Sequence, residues 1–157
     1  MIRKTVLIAS AVAVASGLMA SAAGAASAAV RPMVACVTSS PIKIESFAFH
    51  PAAVPPGASS TATLTALNCT NQTLAASEIW SGRFTGPSTG IPAGCPAIDP
   101  IALPVTFPPD GSVATSITYL VPPSCTASQL VVTVDIDAAG KVLAQGTAVL
   151  TIISSVG

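Results

Sequence analysis

The chain has 157 residues and a formal net charge of zero, with 6 Lys+Arg against 6 Asp+Glu. Charged residues make up only 8% of it and 14 residues are Pro, a balance that excludes a basic nucleic-acid-binding surface and argues against long helices. No cofactor-binding or metal-ligand motif stands out, so a non-enzymatic reading is the starting point.

The first element is an export signal. Arg3 and Lys4 form a positive start, and Val6 to Ala15 is apolar except for Ser10. That run has the length of a signal-peptide core and is too short to stay in a bilayer as a permanent span. Small residues follow, and Ala26-Ser27-Ala28 fits the signal-peptidase rule. Cleavage is expected after Ala28, with Ala25 and Ala29 as near alternatives. Residues 1–28 are then the signal peptide and 29–157 the mature domain, secreted and extracellular. The membrane is met only through the signal before cleavage. Met33-Val34-Ala35-Cys36 resembles a lipobox, in which Cys36 would be lipidated. Arg31 and Pro32 separate it from the apolar core, and using Cys36 this way would leave an odd number of cysteines.

The mature part carries Arg31, Lys43, Arg83 and Lys141 against Glu45, Glu78, Asp99, Asp110, Asp135 and Asp137, a net charge of −2. Its four cysteines are Cys36, Cys69, Cys95 and Cys125. An even number in an exported domain reads as two disulfides. No two lie within metal-ligand spacing, so no metal site is expected.

Seven strands are predicted along this part. Residues 42–50 come first. Ile42 and Ile44 share one phase and Phe47 and Phe49 the other, so a bulge or a change of sheet is expected at Glu45-Ser46. Val54-Pro55-Pro56-Gly57 reads as a turn. Residues 61–68 alternate, with Ala62, Leu64 and Ala66 inward. Residues 78–85 put Trp80, Gly82 and Phe84 on one face. A Gly/Pro-rich loop, 86–100, holds Cys95. Residues 101–107 and 112–121 are strands, the latter with Val113, Ile117, Tyr119 and Val121 on one face. A loop with Pro122, Pro123 and Cys125 precedes the strand 130–137, which puts Val132, Val134 and Ile136 inward. Ala138 to Lys141 turns the chain into a last strand, 142–153. An all-β chain of seven short strands calls for two packed sheets.

Val54-Pro-Pro-Gly57 before the second strand, Trp80 on the third and Asp137-Ala-Ala-Gly-Lys-Val-Leu143 at the last hairpin resemble immunoglobulin-like domains of secreted bacterial proteins. The resemblance spans nearly all of the mature length and implies a seven-stranded immunoglobulin-like β-sandwich. It departs from antibody-type domains, because the sixth strand has no Cys to pair across the sheets against the Trp. The implied topology puts Cys36 and Cys69 at one end and Cys95 and Cys125 at the other. It therefore implies the pairs Cys36–Cys69 and Cys95–Cys125. Loop-closure entropy makes each bridge worth about 3–4 kcal/mol.

Several short motifs bear on function. Gly86-Pro-Ser88-Thr-Gly90 matches a nucleophile elbow, but Ile91 to Pro96 cannot form the helix that elbow needs. The single histidine, His50, also precedes the Ser, the wrong order for such a hydrolase. Asp135 and Asp137 point to the same, outward side, where they would form a solvated face or a weak calcium site. Asn68-Cys-Thr70 and Asn71-Gln-Thr73 are glycosylation sequons, read as chance matches in a bacterial protein. The run Cys95-Pro96-Ala97-Ile98-Asp99-Pro100 is similar to the reactive-loop region of subtilisin inhibitors from soil actinobacteria, although the flanking cysteine spacings differ. A chromophore carrier is disfavoured: such secreted apoproteins close short disulfide loops, and here the loops run to about thirty residues.

The expected function is a secreted, non-enzymatic module that binds a protein or surface partner or serves a structural role. No nucleic acid and no cofactor are expected. The alternative is a protease inhibitor acting through Cys95 to Pro100.

Overall fold

The computed structural model describes residue 36 and residues 40–87 and 90–153. The expected signal peptide lies outside them. Eight strands follow in order: β1 (Ile42–His50), β2 (Ala53–Val54), β3 (Ser59–Asn68), β4 (Leu74–Thr85), β5 (Ile101–Phe107), β6 (Ser112–Leu120), β7 (Gln129–Ala138) and β8 (Lys141–Ile152). They form two sheets, β1-β3-β6 and β2-β8-β7-β4-β5. All pairings are antiparallel except β2 with β8.

The core is the space between the two sheets. β3 and β7 are the clearest cases, with every second residue buried along each strand. Ala62, Leu64 and Ala66 face Leu130, Val132, Val134 and Ile136 in one apolar cluster with Trp80, Phe84 and Leu150. The period of two follows from strand geometry, which sends successive side chains to opposite faces.

The phase change in β1 is a bulge. The register of β1 on β3 slips between Ile44 and Ser46, and the strand stays in the same sheet on both sides of the slip. The extra residue, Glu45, is exposed, so Ile42, Ile44, Phe47 and Phe49 all turn toward the core. Phe47 then meets Trp80 of the other sheet edge to face, with ring centroids 5.4 Å apart. Gly146 of β8 lies beneath the same strand. A Cβ there would sit 2.9 Å from Ile44 Cδ1 and 3.3 Å from Phe47 Cδ1, so any larger residue would have to push these side chains aside.

Two features depart from the expected strand list. β2 is an eighth strand, ending at the first residue of the segment that reads as a turn. The turn itself is present one residue later: Ala58 N–H donates to the Pro55 carbonyl (3.2 Å), and Gly57 takes a φ of 89°. Ahead of it, Ala53–Val54 runs beside the chain's end, where Thr151 and Ile153 donate to the Ala52 and Val54 carbonyls (3.0 Å each). Strand β4 also starts earlier than expected, at Leu74, because Leu74–Ser77 pairs with Phe107–Pro104 of β5. The sequence Leu-Ala-Ala-Ser has little strand character of its own, and the neighbouring strand imposes it.

The last hairpin is a two-residue turn. Ala138 pairs with Lys141, and Ala139 and Gly140 take φ values of 53° and 75°. Positive φ at both central residues is the turn whose twist matches the flanking strands.

Candidate binding surface at the braced loop end

Both disulfides join the cysteines the topology places together. Cys36–Cys69 closes one end of the sheets and Cys95–Cys125 the other. No free cysteine remains among the described residues. Cys36, as a disulfide partner, has no sulfur left for a lipid thioether.

At the Cys95 end, the loop between β4 and β5 lies against the loop between β6 and β7. The Ala93 carbonyl accepts the Thr126 N–H (3.0 Å) and the Thr126 hydroxyl (3.2 Å). Gly94 takes a φ of 69°, and a Cβ on it would fall 2.0 Å from the Ser124 carbonyl oxygen. No other residue fits that approach. Ile98 reaches back over Gly82, where a Cβ would meet it at 3.0 Å, and so joins the loop to the core. Pro96, Ala97, Asp99 and Pro100 are exposed, and residues 95–100 form neither turn nor strand. A cleft of about 230 Å³ lies between this segment and β4, bordered by Arg83, Phe84, Ile91, Ala97 and Ile98. Ile91 is 63% exposed at its rim.

The other sequence candidates are scattered. Ser88 and Thr89 of the elbow motif lie outside the described residues. His50 is exposed at the end of β1, ahead of a cis Pro51. Asp135 accepts from the Gln145 amide (2.6 Å), and Asp137 accepts from the Gly140 N–H (3.1 Å). These two carboxylates serve the hairpin. No group of three or more His, Cys, Asp or Glu suited to a metal occurs among the described residues. The Asn68 sequon is not a surface feature. Asn68 is buried, donates to the Gln72 and Pro108 carbonyls (2.7 and 3.0 Å), and accepts from the Thr70 N–H and hydroxyl (3.0 and 2.8 Å). Asn71 is exposed.

One residue that sequence reading passed over is Glu78, only 1% exposed and in the core phase of β4. Its two oxygens accept from the Trp80 indole N–H (3.0 Å) and the Thr115 hydroxyl (3.2 Å). Its position two residues before Trp80 was the available signal, since i and i+2 share a face. Thr115 belongs to the opposite sheet, so this carboxyl group is a polar tie across the core.

No family model and no curated protein sequence matches the chain. Among solved structures, it is similar to the Pseudomonas fluorescens alkylpurine DNA glycosylase AlkC bound to DNA with an abasic-site analog. That match covers 74% of this chain and 31% of the glycosylase, at 14% identity and a TM-score of 0.52. It is also similar to a Paenibacillus sp. cycloisomaltooligosaccharide glucanotransferase complexed with cycloisomaltoheptaose. There the match covers 72% of this chain and 14% of the enzyme, at 17% identity and a TM-score of 0.52. The chain thus spans a minor part of these two proteins, and the likeness is one of fold.

Proposed function

We propose that this chain is a secreted, non-enzymatic immunoglobulin-like domain that acts through its surface as a binding or structural module. The observation that carries this reading is the pair of facing sheets, β1-β3-β6 and β8-β7-β4-β5, stapled by one disulfide at each end. Apart from the two-residue β2, the neighbour pairs β1-β3-β6 and β8-β7-β4 are those of a seven-stranded immunoglobulin-like sandwich, while β5 lies beside β4 rather than beside β6, within the variation that such sandwiches show. Disulfides persist in oxidising compartments, which agrees with the export signal of residues 1–28. The functional face is the braced end, because loops held by a rigid scaffold are where binding residues concentrate. A bacterial host expressing the whole chain tests the export half: the reading requires protein outside the cell beginning near Ala29. Chain that stays inside with residues 1–28 attached contradicts it.

A second reading, protease inhibition, is favoured by one observation. The exposed segment Pro96 to Pro100 has no internal secondary structure, yet is fixed by the Cys95 bridge and by Ile98 in the core. A preorganised extended loop lowers the ordering cost of binding. A subtilisin and trypsin inhibition assay decides it, and no inhibition at micromolar protein ends this second reading.

A further inference from the structure

A β-sheet edge presents unpaired N–H and C=O groups, and proteins blunt such edges with charge, proline, bulges, shortness or a cover. Among the described residues the two sheets have four edges, and three are blunted. β1 carries Lys43, Glu45 and the bulge at Glu45. β5 carries Pro104 at its middle. β8 carries Lys141 and a register slip at Leu143 at one end, and is paired with β2 at the other. β6 is different: Ser112-Val-Ala-Thr-Ser-Ile-Thr-Tyr-Leu120 has nine residues, no charge, no proline and no register slip against β3.

The hydrogen-bond phase of β6 is set at both ends. Asn68 N–H donates to the Gly111 carbonyl (3.0 Å), and Val121 N–H donates to the Ala58 carbonyl (2.9 Å). Bonded residues alternate along an antiparallel pair. Residues 113, 115, 117 and 119 therefore bond to β3. Ser112, Ala114, Ser116, Thr118 and Leu120 direct their N–H and C=O groups to the open edge. Leu120 is also 59% exposed there.

We infer that β6 is the dimerisation edge of this protein, and that its partner is the β6 strand of a second copy, antiparallel across a twofold axis at Ser116. This goes beyond the proposed role, because it rests on the β6 edge alone and holds whether or not the braced loop binds anything. A twofold interface sets a strand against itself, so it must be self-complementary. With Ser116 on the axis, Ser112 opposes Leu120 of the second copy and Ala114 opposes Thr118. All five outward-bonding residues then exchange hydrogen bonds. Between them, Val113 opposes Tyr119 and Thr115 opposes Ile117, pairs of the β-branched and aromatic kinds that stabilise sheets. No charge meets its own copy. The three-stranded sheets of the two copies become one continuous sheet, and Leu120 gains cover.

Light scattering during size-exclusion chromatography of the exported, disulfide-bonded protein tests this. The wild-type chain is expected at dimer mass. Ser116→Lys, which sets two ammonium groups against each other at the axis, is expected at monomer mass with unchanged circular dichroism. Thr65→Lys, on the outer face of β3, is expected to stay dimeric. Oxidative cross-linking adds the register. Directly opposed bonded residues have Cα atoms about 5.5 Å apart, within disulfide reach. Ser116→Cys is thus expected to cross-link and Ala114→Cys to stay uncross-linked. A wild-type monomer at every soluble concentration overturns the inference, even if a synthetic Ser112–Leu120 peptide binds it. A dimer that survives Ser116→Lys, or that cross-links through Ala114→Cys instead, overturns it equally.

Discussion

The Trp80 indole N–H donates to a carboxyl oxygen of Glu78 at 3.0 Å, two residues away on the same strand and sealed in the same core. The second oxygen takes the Thr115 hydroxyl from the facing sheet. No buried side-chain nitrogen or oxygen lacks a partner among the described residues. Removing the carboxyl group by Glu78→Ala leaves the buried indole N–H and the half-buried Thr115 hydroxyl without their acceptor, and opens a void. The expected cost is about 3 kcal/mol in urea unfolding. Glu78→Gln keeps an acceptor oxygen and is expected to cost about 1 kcal/mol. Fluorescence of the single Trp reports both variants. Equal costs would mean that the carboxyl group is not a tie between the sheets.

Asn68 organises the turn after β3 through four hydrogen bonds. Asn68→Ala is expected to lower stability by about 2–3 kcal/mol, while Asn71→Ala, on the exposed neighbour, is expected to stay within about 0.5 kcal/mol. Thermal unfolding compares the two directly.

The brace at the Cys95 end depends on Gly94. Gly94→Ala forces a methyl into the Ser124 carbonyl and is expected to cost about 3 kcal/mol or more. Gly90→Ala also sits at positive φ (100°) but in open space, and is expected to cost only about 1 kcal/mol. Hydrogen exchange of residues 93–98 checks the local effect: Gly94→Ala speeds it and Gly90→Ala leaves it alone.

At alkaline pH the buried ring of Tyr119 matters. Burial raises its phenol pKa above tyrosine's ordinary value, because the core disfavours phenolate. In the unfolded chain the phenol ionises first, so the unfolded state binds fewer protons in that window and gains relative stability. Stability is thus fully present below about pH 10 and falls as pH climbs from there through the higher folded pKa. Tyr119→Phe is expected to flatten this slope in unfolding curves taken at successive alkaline pH values.

Much of this fold is written locally, and the exceptions have clear causes. The Thr/Ala/Leu alternation of β3 and the Val/Ile alternation of β7 are visible because each strand has one face in the core. The bulge at Glu45 is visible as a phase change, since Ile44 and Phe47 cannot face the same way without an extra residue. β2 is not visible, because its partner, Thr151–Ile152, is remote in sequence and supplies its hydrogen bonds. Leu74–Ser77 is a strand only because β5 lies beside it. Glu78 reads as a surface acid until the fold seals it beside Trp80 of its own strand and brings Thr115 to it from the facing sheet. The disulfide pairing is legible only through the resemblance to immunoglobulin-like domains, which implies which ends of the strands meet.

As proposed, the domain is exported, and one disulfide closes each end of it. Non-reducing peptide mapping of the protein recovered outside the cell tests it most directly. The expected result is a first peptide beginning at Ala29 and two linked pairs, Cys36 with Cys69 and Cys95 with Cys125. A lipid on Cys36, or a Cys36–Cys125 fragment, would contradict it.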